Sequence, residues 1–287
     1  MLKRIARHGM ALVATVLLGG LLSAVLVRLA PGFDVDEQQL DPRLSSASIL
    51  ALRAARDGER NVFRFYWHSL YRAAHGDLGN SISLGQPVSR LIRERAPLTL
   101  RLVGLGLLLS WAAAIALALS AAWIRASAYD AMATVISGTF LCIPAAVLAL
   151  LSVLWKVPGA MAIGLIVFPR VYRYARNLLG KAYSLPHIVT ARAKGLSELR
   201  ILFWHVAPMA GPQILAVAGV SVSIAIGAAI PVEALCGFAG VGQLAWQAAL
   251  ARDLPLLMDL TILVTLVTLL ANSAADIAGH TLRGQEA

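Results

Sequence analysis

The chain has 287 residues, of which 59% are hydrophobic and only 14% charged, with a mean hydropathy of +0.74. Soluble domains sit nearer half apolar and a quarter charged, so this composition excludes a soluble globular fold and places the chain in a membrane. The net charge of +10 is accounted for by membrane topology, and no base-stacking or groove-entering motif accompanies it, which argues against nucleic acid as a partner.

The N-terminus carries Lys3, Arg4, Arg7 and His8 ahead of an uncharged run from Gly9 to Val27. That run is too long for the apolar core of a signal peptide, and no A-x-A-like site follows it. It reads as a retained first transmembrane helix. Residues 31–96 form a long loop whose nine basic and eight acidic residues nearly cancel. Within it "SSASILALRAARD" and "NVFRFYWHSLYRAAH" have helical texture, separated near Gly58. Asn61 can cap the second, whose Phe63, Phe65, Tyr66, Trp67 and Tyr71 suit the headgroup level or a protein groove.

Uncharged windows at 102–124 and 131–155 predict the second and third spans. The window 157–169 is short, and spans only if its helix continues past Pro169 and its basic end reaches the interface. The fifth and sixth spans fall at about 211–232 and 256–275. The segment 170–200 holds seven basic residues against the single acid Glu198. The Lys/Arg bias therefore puts the N-terminus, this segment and the C-terminus in the cytoplasm, with residues 31–96 outside. The expected fold is all-α: a polytopic membrane protein of six transmembrane helices, with a helical extracytoplasmic loop after the first.

The spans are nearly free of ionisable groups, and no HExxH, helical His pair or GxSxG occurs. "ARNLLGKA" (175–182) has Ala175 and Ala182 where a phosphate loop needs Gly and Ser/Thr, so this chain is not expected to hydrolyse ATP. Cys142 and Cys236 lack partners at metal-ligand spacing and read as apolar fillers. Glu233, Asp259 and Arg101 lie near the ends of spans and are expected at the water interface.

One stretch stands apart: "HIVTARAKGLSELRILFWHVAP", residues 187–208. It reads as two short helices joined at Gly195, where a positive φ is wanted after the first helix. Ser197 suits the N-cap of the second, and Glu198 its positive end. Pro208 and Pro212 mark the transition into the fifth span. Such a charged elbow either docks against a protein or rests on lipid headgroups.

The spacing Ala191-x-x-x-Gly195 followed by Pro208, and "TARAKGLSE" (190–198) above all, resembles the EAA loop of ABC importer permeases of the dipeptide/oligopeptide/nickel type. "RLAPG" (28–32), "GDLGNS" (76–81), "PVSRLIRERAPLTLRL" (87–102), "VEALCGFAGVGQL" (232–244) and "ARDLPLL" (251–257) resemble the same family in the same order. The chain departs from it at Cys236, where an aromatic is common, and at Ala239, where a proline is common. The resemblance implies a B-type permease subunit in the inner membrane, importing short peptides or a related solute such as a nickel complex. It implies a coupling helix between spans four and five, with Thr190, Ala191, Lys194, Gly195, Leu196 and Glu198 in contact with an ATPase. It further implies a second, homologous permease, two cytoplasmic ATP-binding subunits carrying ATP and Mg, an extracytoplasmic solute-binding protein, and no cofactor on this chain. The corresponding organisation is a cytoplasmic tail and first span at 1–30, an extracytoplasmic helical loop at 31–97, a permease core at 98–279 with the coupling loop at about 180–208, and a tail at 280–287. The competing reading is a self-contained, gradient-driven transporter or channel, which would call for an inverted repeat and buried ionisable groups. A membrane enzyme ranks third.

Overall fold

The computed structural model describes residues 14–15, 17–22, 25–26, 62–124 and 127–283. Among them the regular elements are helical, and the extended pairing is confined to an isolated bridge between Asn80 and Pro87. The described residues between 14 and 26 are helical. The segment "SSASILALRAARD" and Asn61 lie outside the described residues. The helices that follow are α1 (Val62–Ala74), α2 (Val88–Ile124), α3 (Ser127–Cys142), α4 (Ala145–Leu154), α5 (Gly159–Tyr183), α6 (Pro186–Ala193), α7 (Glu198–Ile201), α8 (Ala207–Cys236), α9 (Val241–Leu250) and α10 (Leu254–Arg283), with a π-helical turn, Leu202–Val206, between α7 and α8.

Three helical runs are long and apolar enough to cross a membrane: Val88–Trp123, Glu198–Cys236 and Leu254–Gly279. Helices α3 and α4 are apolar enough to make a fourth candidate only as a pair, bent by 98° as in a broken span or a re-entrant loop. The expectation of one continuous helix over 131–155 is thus corrected. Pro144 offers no N–H, and its ring disfavours helical backbone at the residue before it, so α3 stops at Cys142 and α4 starts again behind Pro144 as N-cap. The 25-residue α5, in contrast, does run through Pro169. It is long enough, about 37 Å, to cross a bilayer despite its basic residues. Only Trp155 to Pro158 separate it from α4.

At Pro208, which marks the transition into the fifth span, the helix does not break. Glu198 to Cys236 form one helical run that takes the π turn just before the proline. Ala207 N–H reaches back to the Leu202 carbonyl, the wider i→i−5 bond of a π-helix. The extra residue makes room for a ring with no donor.

The chain divides into two compact units. In the first, residues 1–96 with 244–267, the Tyr66 hydroxyl of α1 donates to the Leu17 carbonyl at 2.5 Å, while Trp67 and Tyr71 remain exposed. Asp253 caps α10 by accepting from Leu256 N–H, and its other oxygen accepts from Ser81 Oγ, Ser83 Oγ and Ser83 N–H at 2.5–2.9 Å. One buried carboxylate so fixes the turn after "GDLGNS" to the start of a span.

In the second unit, residues 97–243 with 268–287, α5 packs against α3, α4 and α8 around a core that includes Ile163, Val167, Tyr172, Ile188, Ile201 and Val232. Helix α2 approaches α5 at Gly106, where an added Cβ would stand 2.9 Å from the Ala160 carbonyl oxygen and 2.9 Å from Ile163. Helices in lipid gain little from apolar burial alone, so such small-residue crossings carry much of their association. Trp111 Nε1–H donates to Ser221 Oγ at 3.0 Å and ties α2 to α8. Gly106→Ala is expected to destabilise the purified protein by about 1–3 kcal/mol. Gly104→Ala, where a Cβ meets nothing within 4 Å, should be silent. Thermal unfolding in detergent, followed by monodispersity, distinguishes the two.

Candidate functional site

The elbow is built as a closed turn. Lys194 ends α6 and Gly195 takes φ +76°, a backbone that a Cβ would strain by about 1–2 kcal/mol. Gly195 N–H donates to Arg192 O at 2.8 Å and Leu196 N–H to Ala191 O at 3.2 Å, the paired bonds of a Schellman motif. Ser197 Oγ accepts Arg200 N–H at 3.4 Å and so caps α7, with Glu198 in its first turn. The sequence does not announce the next feature. Arg192 Nε and Nη2 donate to the two oxygens of Glu198 at 2.7 and 3.1 Å, clasping the helices across Gly195. Hydrogen bonding to Glu198 holds the Arg192 guanidinium above its already high ordinary pKa. The same guanidinium lies 5.5 Å from the Tyr183 ring centroid, at the end of α5.

Beneath the clasp Ile188, Ala191 and Ile201 are buried in the core cluster. Of the six residues expected at an ATPase contact, Thr190, Lys194, Gly195 and Glu198 are exposed and Leu196 is half-buried. Ala191 points inward, so it anchors the elbow and leaves no side chain for a partner to touch. Val189, Leu199, Phe203 and Trp204 add exposed apolar surface beside the charged residues.

Near the elbow, Arg176 of α5 makes a bidentate pair with Asp130 of α3, and Trp123 Nε1–H donates to the Tyr183 hydroxyl at 3.3 Å. The N-terminal parts of α2 and α5 meet the 232–243 segment, with Thr99 at Val241 and Gly159 beside Phe238. There Glu233 is wholly buried, not at the water interface that the sequence suggested. Its Oε2 accepts the N–H groups of Gly242 (2.7 Å) and Gln243 (3.3 Å), while Thr99 Oγ1 accepts that of Val241 (2.8 Å). The first turn of α9 thus takes its caps from α2 and α8, and a carboxylate sits at its positive end. Two glycines make this approach possible. A Cβ on Gly240 would collide with the Glu233 carboxylate, and one on Gly242 would stand 2.7 Å from Ile230 Cα. Asp259, in the first unit, is likewise buried, whereas Arg101 is exposed. Asp253 escaped the sequence reading altogether, although an Asp two residues ahead of Pro255 carries an N-cap signal.

Apolar helical runs of span length are thus joined by a charged elbow and a capped turn, with no catalytic constellation among the described residues. The family described as the inner membrane component of binding-protein-dependent transport systems matches residues 114–282, and the chain belongs to it. A putative peptide transport system permease protein of Brucella abortus is 29% identical over 234 residues, covering 72% of this chain and 74% of that protein. Oligopeptide transport system permease proteins of Bacillus subtilis and Salmonella typhimurium are each 28% identical, with 90% and 92% of both chains covered, respectively. Among solved structures, a chain of the MetNI methionine ABC transporter in an inward-facing conformation superposes with a TM-score of 0.61 at 16% identity. That match covers 68% of this chain and 97% of the other, and it establishes a shared fold.

Glu233→Gln should keep the shape but lose the charge at the start of α9, with a cost of about 1–2 kcal/mol read as a lowered unfolding temperature in detergent. Separately, Arg192→Glu should loosen the elbow, and adding Glu198→Arg should restore it. Limited proteolysis between α6 and α7 reads that rescue.

Proposed function

We propose that this chain is the B-type permease subunit of an ATP-driven importer of short peptides, crossing the inner membrane six times with both termini in the cytoplasm. The elbow carries this reading: it is exposed, locked by Gly195 and the Arg192–Glu198 clasp, and anchored in the core through Ile188, Ala191 and Ile201. The basic segment 170–200 supports its cytoplasmic placement. The peptide and oligopeptide permeases that the chain resembles support the substrate class. In this reading the partners are a second, homologous permease, a pair of ATPase subunits that bind ATP and Mg, and an extracytoplasmic solute-binding protein. The spans that complete six are the N-terminal helix and α5.

The coupling follows from the connections. When ATP draws the two ATPases together, each carries its docked elbow with it. The elbow has little internal slack, since its two helices are clasped, and α7 runs through the π turn into α8 without a loop. Its displacement therefore passes to α8, and through Tyr183 and Ile188 to α5, which changes the side to which the path opens. Thr190, Lys194, Gly195, Leu196 and Glu198 make the ATPase contact, and Ala191 holds the turn beneath them.

Tagged chain drawn from its native membrane in mild detergent should bring down an ATPase with a Walker A motif and a second permease in fixed proportion. Recovery of the folded chain with itself alone would refute the importer and restore the gradient-driven alternative. Gly195→Asp should insert normally yet lose at least about tenfold in peptide uptake, because strain and charge fall at the contact. Normal uptake by that variant would refute the coupling role.

A further inference from the structure

Helix α5, which completes six spans in the reading above, carries a cation midway along its length, at the head of the basic segment 170–200. Arg170 lies eleven residues after the start of α5 and thirteen before its end. At 1.5 Å per residue this is about 17 and 20 Å from the two ends. Arg170 is exposed on this chain. Its recorded hydrogen bond is a long one, 3.5 Å from Nη1 to the Ile166 carbonyl. Arg176 and Arg192 each have a carboxylate, but none of the described carboxylates pairs with Arg170.

Arg170 also lines both of two cavities in this unit. One, of about 230 Å³, lies between α5 and α8, with Tyr174, Val217, Val220 and Ser221 in its walls. The other, of about 160 Å³, lies in the corner where α3 breaks before α4, with Cys142, Pro144 and Ile166. The first is otherwise apolar, apart from the exposed Tyr174 one turn further along α5 and Ser221. Pockets that enclose a whole small ligand run to about 300–1,000 Å³, so each cavity suits the end of a chain-like solute better than all of it.

Resting on the peptide-importer reading above, we propose that Arg170 is a way-station in the translocation path, where its guanidinium receives the terminal carboxylate of the passing peptide. A planar fork of donors matches a carboxylate in a bidentate manner, and the apolar groove accepts the adjoining residue. A single exposed cation binds weakly enough to release, which a path requires and a storage site does not.

The test uses the complete importer, purified with its partners and reconstituted, with tetra-alanine supplied as the free acid or as its C-terminal amide. Labelling of Cys142 by N-ethylmaleimide, mapped by mass spectrometry, reads occupancy of the corner cavity that Arg170 shares. The free acid should slow labelling several-fold and the amide should not. Arg170→Gln should abolish the protection and cut uptake of the free acid about tenfold, whereas Arg170→Lys should retain part of both. Equal protection by acid and amide, or protection that survives Arg170→Gln, overturns the proposal. Loss of the second permease from the Arg170→Gln complex assigns the cation to the subunit interface and overturns it equally. Absence of tetra-alanine uptake by the wild-type importer sinks the peptide reading and this proposal with it, before any variant is compared.

Discussion

A helix that stops leaves N–H and C=O groups without partners in its own ladder, and within a membrane no water takes them; the rest of this structure depends on how those groups are satisfied. The chain interrupts or widens its helices at Pro144, at Gly195, before Pro208 and after Cys236. Gly195 closes its own turn through a Schellman pair. The π turn re-registers the ladder ahead of Pro208. At α9 the donors are taken by side chains from two other helices, Thr99 and Glu233. Glu233 is the extreme case, a fully buried carboxylate whose hydrogen bonds to N–H groups at a helix start offset its desolvation.

These satisfied breaks make the second unit stiff where it needs to be. The elbow could have been a flexible loop with the same charges, and any push on it would then dissipate. Instead a bidentate ion pair spans the turn, a glycine fixes its angle, and three apolar side chains seat it in the core. An exposed ion pair alone contributes at most about 1 kcal/mol, so the clasp does not hold the fold together. Its effect is on geometry, since it restricts α6 and α7 to one relative orientation.

Much of this was legible in residue order. Gly195 was expected at positive φ because the helix before it must end, and Ser197 as a cap because it precedes a charged turn; both are local rules that need no tertiary context. The passage of α5 through Pro169 was posed as a condition, and the structure meets it. The corner at Pro144 was missed because an uncharged window hides a break: hydropathy averages over it while the missing donor does not. The π turn that carries the helix into Pro208 is not legible in the sequence, since it leaves no mark in composition. The burial of Glu233 and Asp253 was invisible because their partners are backbone N–H groups and serines brought in by the fold, and a charge near the end of a span looks the same whether water or an amide receives it.

The caps of α9 also bear on how the chain is made. Glu233 leaves the ribosome only nine residues ahead of Gly242, so at about 5–20 residues per second its amide partners follow within about two seconds. A carboxylate bound for a buried site is thus exposed only briefly during insertion. Thr99 and Val241 are separated by 142 residues, and their bond waits until the intervening helices, α3 to α8, have been made and brought alongside. The same turn is therefore assembled in two stages, a local one that shelters the charge as it is synthesised and a distant one that closes only when the bundle is complete.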